Sequence, residues 1–338
     1  MKTGFLALVV FAAVALTAGA ALAAQAGPWI MTMDKDGIRA YAREVPGTNL
    51  KEVRAVMTVD APLETINAVM RDVPGLAGWF SHCSKSEMVQ ERSKLELDTY
   101  VLLGMPWPVQ DRDMVVNSKI VYDTKTGRGM VNLKAVDDPR RPPSKPIRIK
   151  DFKGKYVFEF ISRDKTGVIF TFTLDLGGWI PVSILNIMGK YSLYDTFMGM
   201  RRMVKKPAYI EAGKHSEEHD LVDRVLADDS RVREVFKNRL SEFIGDKDFV
   251  ERVTEDPGMR DRFFSSKNGL AEILLYGWGS EKSKKEAISK LLLVYLPRHI
   301  ADPKAAEKLA TDKELVEAIL TGKTPAQKIL EARNCGFK

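Results

Sequence analysis

One short segment has the residue types and spacing of a zinc site, His215–His219 (His-Ser-Glu-Glu-His). The pattern H-x-x-E-H is that of the inverted zinc peptidases, in which two histidines bind zinc and the glutamate acts as a base. Ser216 followed by two glutamates is also a typical helix start, which would leave His215 outside the helix. We therefore favour a helix N-terminus, and we expect no bound metal or other cofactor.

The remaining sequence offers little for covalent catalysis. Only four histidines occur, and neither a Gly-x-Ser-x-Gly nucleophile motif nor a glycine-rich phosphate loop is present. His82 precedes Cys83, but adjacent side chains of an extended segment point apart, which argues against a thiolate pair. Cys83 and Cys335 either form a disulfide in an oxidising compartment or remain separate thiols. No catalytic residue is therefore predicted.

Basic residues are concentrated in a proline-rich stretch after residue 139. The net charge of +7 over 338 residues is modest, so we expect no nucleic-acid partner. The stretch is either a solvated surface or a site of transient docking on an anionic membrane, where each cation contributes about 1 kcal/mol. The basic residues proposed for docking are Arg140, Arg141, Lys145, Lys150 and Lys153.

The N-terminus has the pattern of an export signal. Lys2 precedes an apolar run that ends in Ala21-Leu22-Ala23, a fitting peptidase site. We expect residues 1–24 to be a signal peptide and the mature protein to be periplasmic or secreted. The alternative is an uncleaved anchor in the inner membrane, because about 20 apolar residues can span a bilayer.

The elements between residues 29 and 206 are those of an α+β domain. Alternating apolar residues predict strands, and a helix over Ala61–Val73 interrupts them. A long helix follows Pro181 and ends near Lys206. The predicted strands are Ile38–Glu44, Lys51–Val59, Ser86–Gln90, Leu95–Leu103, Met114–Tyr122, Gly129–Val136, Ile147–Phe152, Tyr156–Ser162 and Val168–Leu174.

Beyond Pro207 the strand pattern stops and short helices are predicted. Asp228, Asp246 and Asp312 are each followed by apolar residues four and seven positions later. Aspartate is a good N-cap, so each is expected to start a helix, with a degenerate helical repeat as the alternative. We expect a separate all-α domain over residues 213–338.

Two motifs with strands between them carry a family resemblance. They are Pro106–Asp113 (Pro-Trp-Pro-Val-Gln-Asp-Arg-Asp) and Gly177–Pro181 (Gly-Gly-Trp-Ile-Pro), and Asp36-Gly37-Ile38 precedes both. Residues 29–206 resemble the START (StAR-related lipid transfer) family, as an exported bacterial member. The resemblance implies a helix-grip fold, in which a curved antiparallel sheet surrounds a long C-terminal helix and one lipid lies in the tunnel between them.

The resemblance also places candidate ligand-binding residues in that tunnel. Sheet aromatics and the apolar stripe of the last helix would line it, although the same residues could fill an ordinary core. Arg112 would bind a lipid headgroup with Asp111 or Asp113, or form a structural ion pair. The candidates are Trp107, near the mouth of the tunnel, and Arg112, Phe158, Phe160, Phe170, Phe172, Ile184, Met188 and Tyr191.

The expected function is binding, and transfer, of a hydrophobic lipid such as a sterol, a phospholipid or another apolar ligand. The alternative is a cyclase- or hydrolase-type enzyme that acts on a hydrophobic substrate in the same cavity. The lack of a nucleophile motif favours binding. We also expect residues 29–206 to fold and bind lipid without the C-terminal helices.

Overall fold

The computed structural model describes residues 26–180, 182–267 and 269–333. The predicted signal peptide and Cys335 lie outside these residues. Within them, ten strands form one antiparallel sheet in the order β1-β2-β3-β10-β9-β7-β6-β5-β4, and β8 adds a short parallel pairing to β6. The strands are β1 (Ile30–Lys35), β2 (Ile38–Glu44), β3 (Lys51–Val59), β4 (Cys83–Ser93), β5 (Glu96–Leu103), β6 (Arg112–Asp123), β7 (Arg128–Val136), β8 (Ile147–Arg148), β9 (Phe152–Ser162) and β10 (Lys165–Leu174).

Two helices lie against the inner face of this curved sheet. They are α1 (Leu63–Arg71) and the long α2 (Val182–Met203). A 3₁₀ turn over Pro74–Gly78 follows α1, and a Cβ atom on Gly199 of α2 would collide with the carbonyl oxygen of Trp79 just after that turn. The α+β arrangement and the long final helix of the sheet domain are confirmed.

The C-terminal region is helical, as predicted, but it begins earlier than residue 213, because α3 occupies the expected linker. Its helices are α3 (Pro207–Lys214), α4 (Glu217–Leu226), α5 (Asp229–Ser241), α6 (Lys247–Glu255), α7 (Pro257–Phe263), α8 (Leu270–Leu275), α9 (Glu281–Tyr295), α10 (Pro303–Ala310), α11 (Lys313–Thr321) and α12 (Ala326–Ala332). Further 3₁₀ turns cover Tyr276–Trp278 and Leu296–Arg298.

Aspartate side chains start several of these helices. Asp228, Asp246 and Asp312 each accept a hydrogen bond from a main-chain N–H in the first turn of α5, α6 and α11. Ser216 caps α4 in the same way by accepting from the N–H of His219. The predicted N-caps are therefore confirmed, and His215 lies outside the helix.

The two faces of the sheet are buried against different helices. Met57 and Phe158 belong to the inner core, which they share with α1 and α2. The outer-face residues Val56, Val157 and Ile169 belong to a second core, most of whose members come from the C-terminal helices. The sheet is thus sandwiched between two helical layers, and the C-terminal helices share a core with it.

Charged side chains are buried at the junction between the sheet and the C-terminal helices. Glu159 of β9 accepts hydrogen bonds from Arg128 Nε at 2.6 Å and from the indole of Trp278 at 2.9 Å. Arg239 of α5 is 1% exposed and donates to three main-chain carbonyls at the sheet, at 2.7, 2.9 and 2.9 Å. These bonds fix the helices to the outer face.

Hydropathy gives no further membrane-crossing element in the described ranges. Among those residues, no helix has both the length and the apolar character to span a bilayer.

Candidate functional site

A large cavity lies between the inner face of the sheet and α1. It holds about 1030 Å³ of space free of protein atoms, its mouth included. Its wall is built mainly from aliphatic and aromatic side chains. Wall residues include Asn67, Met70, Val73, Leu76, Trp79, Phe80, Leu97, Val101, Met114, Val116, Ile120, Val131, Leu133, Phe152, Tyr156, Phe158 and Phe170. Strand alternation explains this composition, because every second residue of each strand points inward.

Stacked aromatic rings run along the central strands beneath this cavity. Tyr156 stacks on Phe170 with 4.0 Å between ring centroids, and on Phe158 with 5.7 Å. Phe172 continues the stack, 4.8 Å from Phe170. Such rings give a rigid apolar surface with few rotatable bonds.

Three polar atoms in the wall have no hydrogen-bond partner. They are Nδ2 of Asn67, Nε1 of Trp79 and the hydroxyl oxygen of Tyr156, and each is buried. Burial raises the pKa of Tyr156, so this hydroxyl remains protonated at neutral pH. An unpartnered buried donor costs about 1–3 kcal/mol, which a hydrogen bond to an acceptor atom of a ligand would recover.

A charged pair closes one part of the wall. Arg71 of α1 donates to Glu218 of α4 at 2.9 Å and to the carbonyl of Lys94 at 3.1 Å, and Tyr122 of β6 also donates to Glu218. Burial opposes ionisation of Glu218, but the hydrogen bonds from Tyr122 and Arg71 outweigh it and lower its pKa. The glutamate of the H-x-x-E-H segment therefore neutralises a cavity cation.

The other residues of that segment are also engaged with protein groups. The imidazole of His219 lies 2.8 Å from Glu64, which raises the pKa of His219. No cluster of three or more potential metal ligands occurs among residues 26–180, 182–267 and 269–333.

A smaller cavity lies where the sheet meets α4. It holds about 480 Å³ of empty space, and both Tyr122 and Gly129 line this cavity as well as the first. Phe160 of β9 lines it too, with its ring edge-on to Phe264 at 4.9 Å between centroids. The C-terminal helices thus form part of its wall.

The predicted site residues are distributed between the two cavities, the aromatic stack and α2. Phe158 and Phe170 line the first cavity, whereas Phe160 lines the second. Phe172 packs on the aromatic stack but is absent from the described wall of either cavity. Ile184, Met188 and Tyr191 lie on α2, and their side chains are outside the described part of the structure.

Two predicted ligand-binding residues lie elsewhere. Trp107 is 92% exposed on the loop between β5 and β6, so it does not line the described wall. Arg112 is fully buried and donates to the main-chain carbonyls of Gln110, Leu176 (3.4 Å) and Gly177 (3.0 Å). It holds the loop before β6 to the loop before α2, and each of its three nitrogens already donates one hydrogen bond to the main chain.

The two acidic residues expected as partners of Arg112 bond to other groups. Asp111 accepts from the main-chain N–H of Met105 at 2.9 Å, and Asp113 accepts from Arg148 at 2.7 and 3.0 Å. Nearby, Cys83 is buried, and burial raises the pKa of its thiol. The ion pair of Asp113 with Arg148 and the burial of the Cys83 thiol both favour structural roles for these residues.

Sequence analysis missed Asn67, Trp79 and Tyr156 as site residues. A tyrosine among the inward-facing phenylalanines of β9 was a usable signal, because it places one polar atom on an apolar face. Asn67 and Trp79 gave no such signal, since α1 and the turn after it reach the cavity only through tertiary packing.

Comparison with known proteins adds to this geometry. The START domain family model matches residues 15–209, more than half of the chain. An uncharacterised protein of Pseudomonas aeruginosa is 29% identical over 205 residues, covering 60% of this chain and 98% of that protein. A solved fragment of the STAR-related lipid transfer protein of Xanthomonas axonopodis is 25% identical, covers 53% of this chain and 100% of that chain, and has a TM-score of 0.49. Human StAR-related lipid transfer protein 5 is 17% identical, with coverages of 53% and 86% and a TM-score of 0.49. The chain therefore belongs to the START domain family.

Proposed function

We propose that this protein binds one hydrophobic lipid in the first cavity and transfers it between membranes. The observation that carries the proposal is the cavity wall, in which Arg71 is the only charged side chain among the described residues and is paired with Glu218. Water molecules form few hydrogen bonds with such a wall. Burying an acyl chain or a sterol ring there is favourable, because it removes apolar surface from water. The names of the solved START relatives, lipid transfer proteins, support the same function.

Binding explains the wall better than catalysis does. The described wall residues include no histidine, cysteine, aspartate or glutamate. A cyclase or hydrolase would need a group of this kind, a tyrosine or a positioned water to move protons at the substrate. The wall's tyrosines, Tyr122 and Tyr156, have raised pKa values because both are buried, which disfavours proton transfer by them. The wall supplies instead a smooth apolar surface with a few neutral donors, which suits a ligand that enters and leaves unchanged.

Filling the cavity should remove the lipid without unfolding the protein. We expect native mass spectrometry of the full-length protein to show one co-purified lipid per chain. In Val131→Trp the added ring occupies ligand space, because Val131 of β7 lines the cavity. The affinity of the delipidated protein for lipid should fall at least about tenfold, because excluding about two buried methylenes of the ligand costs roughly 1.6 kcal/mol.

The matched control is the same substitution on the opposite face. Val157 of the adjacent strand is 5% exposed and lies in the core shared with the C-terminal helices. Val157→Trp overpacks that core, so it should lower the free energy of unfolding by about 1–3 kcal/mol while folded molecules keep their lipid. Unchanged affinity for lipid in Val131→Trp would contradict lipid binding at this wall.

Two exposed tryptophans support docking on a membrane. Trp107 is 92% and Trp179 is 77% exposed, on the two loops that Arg112 joins. The amide of Gln110 also donates to the carbonyl of Lys145, which brings the basic stretch beside these loops. Tryptophan side chains prefer the membrane–water interface, and neighbouring cations favour anionic lipids.

The basic residues predicted for docking are not equivalent. Arg140 pairs with Asp138 at 2.5 Å, and Arg141 pairs with Glu87, so both are partly neutralised. Lys145, Lys150 and Lys153 are exposed. We propose that these three lysines, together with the two tryptophans, contact the membrane while lipid is exchanged.

Removing both tryptophans should weaken vesicle binding. For Trp107→Ala combined with Trp179→Ala, cosedimentation with phosphatidylcholine–phosphatidylglycerol vesicles should fall at least about tenfold, because inserting ~60 Å² of ring surface contributes roughly 1.5 kcal/mol. Lipid occupancy of the soluble protein should not change. Leu293→Ala removes a side chain of α9 that is 44% exposed, and it serves as the control. Vesicle binding equal to that of the native protein would rule out docking through these loops.

Export remains part of the proposal. The pattern of residues 1–24 predicts a signal peptide, which would place the lipid carrier in the periplasm or outside the cell. Membranes with anionic lipid face that compartment, so export and membrane docking are compatible.

A further inference from the structure

The described polar atoms that lack a partner are concentrated at one cavity. Among the described residues, unpartnered buried side-chain atoms occur on Asn67, Trp79 and Tyr156, and otherwise only on Arg252. The first three all line the first cavity. A filled core would not retain three unpartnered donors on one wall, because each costs free energy that a neighbouring acceptor would restore.

Packing holds two of these donors, Tyr156 and Trp79, in place. Tyr156 is 2% exposed and lies between the rings of Phe158 and Phe170, which restrict its ring. Trp79 is 4% exposed, and the close approach of Gly199 fixes its main chain. Donors that are held before binding lose little entropy when a ligand accepts from them.

The charge of the wall limits which ligand group these donors accept. The one described cation, Arg71, is already bonded to Glu218 and to the carbonyl of Lys94. The described part of the wall therefore offers no free counter-charge to an ionised phosphate or carboxylate, and burying such a group unpaired costs many kcal/mol. An uncharged oxygen needs only a hydrogen bond, and all three atoms can donate one.

Building on the proposed lipid-binding function, we infer that the ligand is an electrically neutral lipid with a small oxygen group, a hydroxyl or an ester or amide carbonyl. The oxygen lone pairs of this group accept hydrogen bonds from donors among Asn67, Trp79 and Tyr156, at most two for each oxygen, while the hydrocarbon part fills the apolar space around them. Lipids with an ionised headgroup are excluded from the cavity by the same wall.

The test compares three dodecyl compounds on delipidated full-length protein. Dodecanol, dodecane and dodecanoate, the last at a pH where it is ionised, compete with the neutral fluorophore Nile red. The measured quantity is the ratio of dodecanol to dodecane affinity within each protein, because the affinity of Nile red cancels from that ratio. Tyr156→Phe should lower the ratio about fivefold or more, since one hydrogen bond is lost only with the alcohol. Dodecanoate should bind at least about tenfold more weakly than dodecanol.

Two further variants show whether a changed affinity ratio results from the loss of a hydrogen-bond donor in the cavity. Asn67→Leu preserves side-chain size on α1 and should lower the same ratio, so the result does not depend on one substitution. Tyr41→Phe is the matched control, because Tyr41 is buried on the outer face and its hydroxyl bonds Ser283 at 3.1 Å. Tyr41→Phe should be less stable and leave the ratio unchanged, whereas Tyr156→Phe should be at least as stable as the native protein.

The possible results distinguish a failure of oxygen recognition from a failure of the proposed lipid-binding function. If both dodecanol and dodecane displace Nile red but neither Tyr156→Phe nor Asn67→Leu changes their ratio, oxygen recognition is overturned while lipid binding stands. Dodecanoate binding as tightly as dodecanol overturns the neutral ligand class. If none of the compounds displaces Nile red and no lipid co-purifies, the proposed function itself fails.

Discussion

Glu159→Ala should lower the free energy of unfolding by about 3 kcal/mol, because it removes a carboxylate from beside the buried guanidinium of Arg239 and leaves Arg128 paired with Glu242 alone. Glu159 is 1% exposed and forms a 2.5 Å ion pair with Arg128, and Arg239 lies 3.9 Å from its second oxygen. The indole of Trp278 also loses its acceptor. Urea unfolding of the full-length protein measures the loss, with an unchanged m-value as the check for two-state behaviour.

Two further variants show whether the lost stability of Glu159→Ala comes from the buried charge. Glu159→Gln keeps an acceptor but removes the charge, so it should be intermediate. Glu211→Ala breaks an exposed pair with Lys214, whose side chains are 64% and 61% exposed, and should change stability by less than about 1 kcal/mol. A Glu159→Ala protein as stable as Glu211→Ala would show that the buried cluster contributes nothing.

The buried carboxylate of Glu159 also predicts that the free energy of unfolding depends on pH in the acidic range. Burial disfavours the ionised form of Glu159, but Arg128 and Arg239 outweigh it and lower its pKa. A lowered pKa in the folded state gives stability that is present above the ordinary glutamate value of about 4.3 and is lost as the pH falls towards the folded value. Glu159→Ala should therefore lose stability on acidification less steeply than the native protein.

A chain that stops at Lys206 should fail to give a soluble monomer. Truncation removes α3 to α12 and exposes the outer-face side chains that pack against them. Each exposed Val, Ile or aromatic side chain forfeits about 1.5–3 kcal/mol, and several together match the 5–15 kcal/mol that stabilises a typical domain. The side chains exposed would be Tyr41, Val56, Val157, Ile161 and Ile169. The expected result is aggregation on expression, measured as the soluble fraction and by size-exclusion chromatography.

Polar substitutions in the truncated chain test the physical reason. Val56→Thr, Val157→Thr and Ile169→Thr together remove much of the exposed apolar face without changing the inner core. They should recover part of the soluble protein if the exposed face causes the failure. A truncated native sequence that is monomeric and unfolds cooperatively would instead confirm the expectation, made from the sequence, that residues 29–206 fold alone.

Alternation and family motifs were sufficient to predict most of the sheet. The expected strands β5, β6, β7, β9 and β10 are present, because each has inward apolar residues at every second position. β1 was missed, since Ile30–Lys35 is an exposed edge strand without such a pattern. The strand expected over Ile147–Phe152 was wrong: only Ile147–Arg148 pairs, and Phe152 already belongs to β9.

The association of the C-terminal helices with the sheet was harder to predict. β9 is apolar on both faces between Tyr156 and Ile161, apart from Glu159, and strands covered on both faces have this character. That run therefore indicated a second covering layer. The partner helices could not be identified, because which helix covers which strand depends on contacts between residues that are far apart in sequence.

The side chains of the central strands form two rows, one on each face of the sheet, and each row packs in a different core. In β9 and β10 the inward row, with Phe158 and Phe170, bounds a space, while the outward row, with Val157 and Ile169, closes a core. Because neighbours in a strand alternate, a change in one row leaves the other untouched. Over evolutionary time, the shape of the cavity can therefore change through inward positions while stability is selected at outward ones. A protein engineer can use the same separation to reshape the cavity on an unaltered scaffold.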